Sequence, residues 1–256
     1  MSKHRNPSNG SADRNAAPNF DLLARPYRWM EYASFGHALE RCRFHYLGQF
    51  ADRSSALVLG DGDGRFTARL LAHCAAIRVH AVDGSPAMLA ALTRRAQRVG
   101  AADRLTTEVT DLRTGIRFDS PSQTGTAAVE KIARNAPDII ATHFFLDCLA
   151  TEEVEQLARH LHAQTRGDTL WVISEFAIPD HGWMRPLAAV LVAVLYRAFR
   201  LLTHLGPQQL PRYASALQAA GWRRIERYQH LRGLLVSELW KQSSCVVPAI
   251  DGLGRE

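Results

Sequence analysis

The stretch ALVLGDGDGRFTARL, residues 56–70, decides the fold of this chain. It begins with four apolar residues, as a buried parallel strand does, and continues with three alternating glycines, Gly60, Gly62 and Gly64. Glycine is needed where the backbone turns sharply and a ligand approaches it, because no Cβ is in the way. Apolar residues at helical spacing follow. We therefore expect the first strand, turn and helix of a nucleotide-binding α/β domain.

A second apolar run, at 77–82, predicts the next strand, and Asp83 follows it. The first two strands of a doubly wound sheet end side by side, so a carboxylate there can accept both ribose hydroxyls of an adenosine above the glycine turn. Ser85 and Pro86 are typical of an N-cap and a first helical residue. The third glycine comes one residue earlier than in G-x-G-x-x-G, with Arg65 in its place, and this spacing disfavours NAD and FAD.

Three motifs together resemble those of the class I S-adenosylmethionine-dependent methyltransferases: the glycine turn, VDGSPAML at 82–89 and TDL at 110–112. FDLLARPYRW at 20–29 is similar to the opening of the quinone-methylating (ubiquinone and menaquinone) branch. The resemblance covers residues 19–241 and implies S-adenosylmethionine as the cofactor. It also implies an α/β fold: a Rossmann-like, doubly wound seven-stranded sheet with an antiparallel last strand, an N-terminal helical leader and an apolar helix after strand five.

The same resemblance implies a set of cofactor-binding residues. The turn glycines border the methionine and ribose part of the cofactor, and Asp83 holds the ribose. Asp111 accepts from the adenine amino group, and Met88 or Gly84 packs near the adenine. The implied residues are Gly60, Asp61, Gly62, Gly64, Asp83, Gly84, Met88, Asp111 and Leu112.

The chain departs from the family's pattern at one position. The family usually carries an acidic residue two positions before the first glycine, where this chain has Val58. Asp61 or Asp63 can take over the contact with the cofactor's ammonium group. Either aspartate can equally be a solvated turn residue, and both alternatives stay open.

Length and composition indicate one catalytic domain. The chain has 256 residues, of which 46% are hydrophobic and 22% charged, as in ordinary globular proteins. Its four cysteines show no paired or metal-binding spacing, so we expect reduced thiols and no metal site. The net charge of +6 is concentrated at 181–241, where nine Arg or Lys stand against two Glu. This asymmetry fits an anionic membrane surface, an acidic substrate or a solvated basic face; without a recognisable RNA-binding pattern, nucleic acid is not expected.

Residues 1–18 are polar and predict a disordered tail without the apolar core of a secretory signal, so we expect a cytoplasmic location. Residues 19–50 predict a helical leader that acts as a lid, and residues 51–245 the methyltransferase domain. Aromatic residues of the leader suit an apolar substrate cavity, although they can instead pack the leader onto the sheet. The candidate substrate residues are Tyr27, Tyr32, His37 and, after strand four, Phe144.

Further apolar runs complete a plan of seven strands. A helix with Thr151 as its N-cap follows strand four, and another is expected at 208–220. A short Leu-Arg-Gly link joins the last two strands, which implies an antiparallel pair. The sequence pattern is least informative at residues 113–137. The predicted strands after the second are 105–109, 138–142, 169–176, 222–230 and 234–241.

The segment 183–205 is apolar around most of a helix and carries basic side chains at helical spacing. Its uninterrupted apolar part, 187–196, is too short to span a bilayer. It can cover a lipophilic substrate, lie on a membrane surface, form a subunit contact or pack over the sheet. The expected partners are thus a lipophilic small molecule, the membrane periphery and a second copy of the chain.

Methyl transfer is an in-line displacement, so the protein must mainly position the reactants and exclude water. An oxygen or carbon nucleophile also gains from a base at the carboxyl edge of the sheet. His143, directly after strand four, is the best candidate, and Asp147 either orients it or contributes independently. The alternative is that His143 is structural and Asp147 begins a turn.

Two functions of different class follow. The first is S-adenosylmethionine-dependent methyl transfer to a small, lipophilic acceptor, such as a quinone precursor, a phospholipid or a natural product. The second is a cofactor-binding protein with a regulatory or assembly role and no catalysis. An RNA methyltransferase is a distant third, and the absence of a D/N-P-P-Y motif weakens DNA or protein amide N-methylation.

Overall fold

A seven-stranded sheet forms the centre of the computed structural model. The model describes residues 37–112, 136–179, 183, 185, 186, 188–190 and 211–243. The strands are β1 (Ser55–Leu59), β2 (Arg78–Asp83), β3 (Leu105–Val109), β4 (Ile139–His143), β5 (Leu170–Phe176), β6 (Trp222–His230) and β7 (Leu235–Gln242). Their order across the sheet is β3-β2-β1-β4-β5-β7-β6.

The pairing of the strands confirms the predicted sheet. Strands β1 to β5 are parallel to one another, whereas β7 is antiparallel to both β5 and β6. The link between β6 and β7 is the single 3₁₀ turn Leu231–Gly233. A link of this length can join only antiparallel neighbours, since a parallel crossover needs a dozen residues or more.

Five described helices flank the sheet. Apolar residues of α2 and α3 form one core with β1, β2 and β4, and those of α4 and α5 form a second core on the opposite face. The first helix, α1, packs against β5 and β7. The helices are α1 (Ala38–Arg43), α2 (Arg65–His73), α3 (Pro86–Arg98), α4 (Thr151–Gln164) and α5 (Tyr213–Ala219).

The ends of two helices test the predicted caps. Ser85 is the N-cap of α3, with its Oγ accepting from the Met88 amide at 3.3 Å, and this prediction is confirmed. The N-cap predicted for the helix after strand four is wrong, because Thr151 is the first helical residue of α4. Glu153 caps that end instead, its carboxylate accepting from the Ala150 amide at 2.7 Å.

Several predictions lie outside the described residues. They are the tail at 1–18, the leader up to residue 36 with Tyr27 and Tyr32, most of 113–137, and 191–205. Of the segment 183–205, the described residues between 185 and 190 are helical. Within the part of the chain that is described, no helix is long and apolar enough to cross a membrane.

Gly64 allows α3 to pack closely against the start of α2. It has φ +80°, and a Cβ built on it would lie 2.7 Å from the Leu92 Cα. Gly100 has a similar φ of +69° but nothing within 4 Å of its Cβ position. A comparison of substitutions at Gly64 and Gly100 therefore separates the cost of backbone strain from the cost of a steric clash.

We expect Gly64→Ala to lower the free energy of unfolding by about 2–5 kcal/mol, because strain and overpacking add together. Gly100→Ala, the matched control, should cost only the strain, about 1–2 kcal/mol. Urea denaturation of both variants measures the difference. Equal losses of unfolding free energy in the two variants would show that the contact between α3 and Gly64 adds no steric cost.

Candidate cofactor and catalytic site

The glycine turn between β1 and α2 is built from left-handed backbone. Gly60, Gly62 and Gly64 have φ values of +65°, +59° and +80°, which residues with a side chain rarely adopt. Among the described residues, a Cβ on Gly62 would meet only the Met88 Sδ, at 4.0 Å, so the described part of the chain leaves the space above this part of the turn open. The turn therefore has the form of a cradle at the carboxyl edge of the sheet.

Asp83 lies against this turn. Its Oδ2 accepts from the Gly62 amide at 3.2 Å, and its Oδ1 accepts from the Ser85 amide at 2.9 Å. Burial raises the pKa of Asp83 to about 6, so it is ionised at neutral pH. A carboxylate has about four acceptor positions, and these two amides leave room for two hydroxyl donors.

Two further aspartates of the turn are engaged by the protein. Asp61 is 8% exposed and accepts from the amides of Phe66 and Thr67, at 3.4 and 2.8 Å, so it holds the first turn of α2. Asp63 contacts Arg95 at 2.6 Å and Arg65 at 3.4 Å. Neither is a solvated turn residue, and the arginines compensate the charge of Asp63.

The loops after β2 and β3 meet beside the turn. A Cβ on Gly84 would lie 3.7 Å from the Asp111 Cα, so these predicted residues are brought together. Leu112 is 7% exposed and belongs to the same buried apolar cluster as Leu57 and Leu59. Val58, at the position of the family's usual acidic residue, is likewise buried in the core.

His143 ends β4 and is 3% exposed. Its ring lies 4.2 Å from the Phe66 ring, and its Nδ1 is 2.9 Å from the Ser174 Oγ. Burial, aided by the Arg43 charge, lowers the pKa of His143 well below 6.5, so the imidazole is neutral at pH 7. Its Nε2 has no hydrogen-bond partner among the described residues.

The candidate substrate residues in the described part of the chain have different surroundings. His37 is exposed, with its Nδ1 3.7 Å from Glu40. Phe144 is 8% exposed and packs at 5.3 Å on Phe176. Phe145, which sequence reasoning missed, lies directly on the turn, since a Cβ on Gly60 would come within 2.2 Å of its ring.

Asp147 and Glu175 act on each other electrostatically at the same edge of the sheet. Asp147 lies in the 3₁₀ turn Leu146–Cys148, and burial raises its pKa to about 6. Glu175, in β5, is 1% exposed, and burial together with the Asp147 charge raises its pKa well above the usual range. Sequence reasoning missed Glu175, although a carboxylate near the carboxyl end of an apolar strand was a readable signal.

No cluster of three or more His, Cys, Asp or Glu side chains in the described segments could hold a metal ion. The hydrogen bonds and pKa shifts of Asp83, His143 and Asp147 are the features described at this edge. Together with the glycine turn and the Phe145 ring beside it, they form a candidate site with titratable groups at the carboxyl edge of the sheet.

Comparison with solved structures identifies the architecture. The mitomycin 7-O-methyltransferase MmcR matches with a TM-score of 0.62 at 14% identity, over 90% of this chain and 62% of that chain. An O-methyltransferase family protein from Burkholderia thailandensis matches with a TM-score of 0.60 at 16% identity, over 88% and 58%. The fold is that of the class I methyltransferases.

The methyltransferase fold also includes a riboflavin-related N-methylating enzyme. The N,N-8-amino-8-demethyl-D-riboflavin dimethyltransferase RosA from Streptomyces davawensis matches with a TM-score of 0.55 at 17% identity, over 90% of this chain and 63% of that chain. The chain spans about three fifths of the length of these solved chains. The sequence matches no family model and no curated protein.

Ser174 determines the tautomer of His143 that we expect. The Ser174 Oγ donates to the Cys42 carbonyl at 3.3 Å, so its oxygen is left to accept from His143 Nδ1–H. Spectra of ¹⁵N-labelled imidazole should show the Nδ1–H tautomer in the wild type, neutral at pH 6. Ser174→Ala should mix the tautomers, because Nδ1 loses its acceptor.

The matched control for this prediction is Ser237→Ala. Ser237 also donates to the Cys42 carbonyl, at 2.7 Å, but no described hydrogen bond joins it to His143. The control should leave the His143 signals unchanged, although those of His230 should move, because the His230 Nε2 lies 2.9 Å from the Ser237 Oγ. An Nε2–H tautomer in the wild type, or a protonated ring at pH 7, would contradict the assignment.

Proposed function

We propose that this chain binds S-adenosylmethionine and transfers its methyl group to a small acceptor. The observation that carries the proposal is the Asp83 carboxylate held at 3.2 Å from the Gly62 amide, on a turn whose outer face is open. A carboxylate with two unused acceptor positions suits the vicinal hydroxyls of a ribose. The fold supports the proposal, because solved methyltransferases share it.

The same contact argues against a dinucleotide. Dinucleotide-binding turns direct their backbone amides at a pyrophosphate. Here the Gly62 amide is engaged by Asp83, whose negative charge would repel a phosphate group. The predicted exclusion of NAD and FAD therefore has a physical reason beyond the spacing of the glycines.

Different residues around the turn would bind different parts of the cofactor. Asp83 would accept from the ribose, Asp111 from the adenine amino group, and Met88 would cover the adenine. Asp61 would face the ammonium group from the base of the turn, where Arg43 also acts on it electrostatically. When bound, the cofactor supplies an electrophilic methyl group on its sulfonium.

The protein must also handle a proton if the nucleophile is a hydroxyl group. His143 offers an unpartnered Nε2, but a base with a strongly lowered pKa takes up a proton poorly. The pKa of Asp147, about 6, is closer to that of an effective base at neutral pH. Both residues remain catalytic candidates, with Asp147 the better matched.

The acceptor we propose is a lipophilic aromatic molecule. Phe145 lies on the glycine turn and Phe144 packs on Phe176 nearby, so an aromatic wall borders the site. The similar folds of a mitomycin 7-O-methyltransferase and a riboflavin-related dimethyltransferase support a natural-product-like acceptor. The resemblance of residues 20–29 to the quinone-methylating branch adds a quinone precursor to the candidates.

Transfer of a labelled methyl group tests this function. Incubation with methyl-deuterated S-adenosylmethionine and a panel of phenols, hydroxyquinones and aromatic amines should give a labelled product by mass spectrometry. Binding of S-adenosylhomocysteine without any transfer would favour the alternative, a cofactor-binding protein with a regulatory or assembly role. Competition by NADH would overturn the cofactor assignment.

We expect Asp83→Asn to weaken S-adenosylhomocysteine binding by about 1.5–3 kcal/mol, because ribose hydroxyls lose a charged acceptor. Calorimetry at pH 7.5 measures the change. Asp103→Asn is the matched control, since Asp103 is exposed and lies at the amino edge of the sheet. Unchanged affinity in Asp83→Asn would remove Asp83 from the cofactor site.

The affinity should also depend on pH. A raised pKa means that Asp83 takes up a proton as the pH falls through about 6, and a protonated carboxyl accepts fewer hydrogen bonds. Binding should be constant above about pH 7 and weaken below about 6 in the wild type. Asp83→Asn should lack this step, whereas the same step in the variant would assign it to another group.

A further inference from the structure

A buried carboxyl that the predicted site does not include lies beside Asp147. Glu175 Oε1 accepts from the backbone amides of Phe145 and Leu146, at 3.1 and 2.8 Å. Its Oε2 is shielded from solvent and has no hydrogen-bond partner in the described part of the chain. An ionised oxygen in that position would be costly, so Oε2 is the place for a proton.

The charges around Glu175 also favour its protonated form. Glu238 on β7 is 1% exposed, but Arg224 at 2.8 Å and Arg227 at 3.4 Å compensate its charge. No Arg or Lys of the described residues forms an ion pair with Glu175. Burial without a neighbouring cation therefore favours the neutral form of Glu175, whereas Glu238 has two arginines beside it.

Groups from every neighbouring element act on the pair. The negative charges of Asp147 and Glu238 both disfavour ionisation of Glu175. The titratable and charged groups facing it are Asp147 after β4, Glu238 on β7, Tyr213 on α5, Cys42 on α1 and, through Glu238, Arg224 and Arg227 on β6.

We propose that Asp147 and Glu175 act as an electrostatically coupled pair, in which Glu175 keeps a proton and Asp147 accepts the proton of the acceptor's hydroxyl group. This inference rests on the proposed methyl transfer. Asp147 is the catalytic residue of the pair, and Glu175 is a positioning residue. The acceptor class is accordingly a hydroxylated aromatic whose oxygen needs a base.

Glu175 positions Asp147 through the backbone. Its Oε1 holds the amides of the two residues directly before Asp147, and one of them, Phe145, carries the ring that lies on Gly60. The segment 145–147 is therefore fixed between the end of β5 and the glycine turn. This places the Asp147 segment beside the part of the turn that the cofactor's methionine would border.

The proton and electrons of the step balance. The acceptor's O–H bond breaks and its proton passes to the Asp147 carboxylate. The oxygen's electron pair forms the new bond to the methyl carbon, while the electron pair of the broken carbon–sulfur bond stays on sulfur. Asp147 then returns its proton to solvent, which its half-buried position allows. His143 is less suited to the step, because it is 3% exposed and on the other side of this edge.

Carboxyl titration by ¹³C NMR tests the pair without any cofactor or acceptor. In the wild type, Asp147 should titrate near pH 6 and Glu175 should stay protonated at pH 7. Asp147→Asn should lower the pKa of Glu175, because a neighbouring negative charge is removed. An ionised Glu175 at pH 7 in the wild type, or no shift in the variant, would overturn the pair.

Kinetics with a hydroxylated aromatic that the label-transfer panel shows to be methylated test the roles. Asp147→Asn should lower kcat about 100-fold or more and abolish the rise of kcat through pH 6. Glu175→Leu should also lower kcat about 100-fold, because the 145–147 segment loses its acceptor. Glu175→Gln keeps that acceptor and a neutral side chain, so it should restore kcat to within about tenfold of wild type.

Two controls test whether a loss of activity is specific to Asp147 and Glu175. Asp168→Asn, in an exposed turn at the opposite edge, should behave as wild type, and Asp147→Asn and Glu175→Gln should bind S-adenosylhomocysteine with unchanged affinity. Equal losses in Glu175→Gln and Asp147→Asn would overturn the division of roles, as would full activity in Asp147→Asn. If the wild type methylates no hydroxylated aromatic, the proposed function fails for that class, and the NMR titration still decides the pair.

Discussion

The hydrogen bond from the Gly62 amide to the Asp83 carboxylate is the contact on which the site depends. It is possible because β1 and β2 are parallel neighbours whose ends lie level, with Leu59 opposite Val82. The Gly60 amide continues this ladder by one residue, donating to the Val82 carbonyl at 2.9 Å. The chain then turns through left-handed backbone toward α2, and this turn leaves its outer face open beside a charged acceptor.

Polar residues gather where the central strands end. His143, Ser174 and Ser237 stand opposite one another on β4, β5 and β7, so they form one row across three strands. Such a row costs free energy in a core unless its members pair. Ser174 pairs with His143, and both serines donate to the Cys42 carbonyl, which ties α1 to the sheet.

The two faces of the sheet treat their buried polar groups differently. On the face of α1, the Ser174 hydroxyl pairs with one nitrogen of the neutral His143 imidazole. On the face of α4 and α5, Glu238 is neutralised by arginines, whereas Glu175 has backbone amides on one oxygen only. Arginines thus compensate the charge of Glu238 but not that of Glu175. Asp147 and Glu175 are therefore the carboxyls that can gain or lose a proton at this edge. This asymmetry separates a structural polar row from one with acid–base capacity.

The sequence by itself determined the strands, the glycine turn, the cap at Ser85 and the antiparallel last pair, because each depends on local pattern or on the length of one link. It also indicated that Asp83 lies beside the glycine turn, since neighbouring parallel strands end at the same edge of the sheet. Only the tertiary structure decided that Asp63 faces Arg95, that Phe145 covers Gly60 and that Glu175 holds the segment before Asp147. These partners are about thirty or more residues apart in the chain. Side-chain direction and burial select them from many residues of the same type, and no local periodicity encodes that choice.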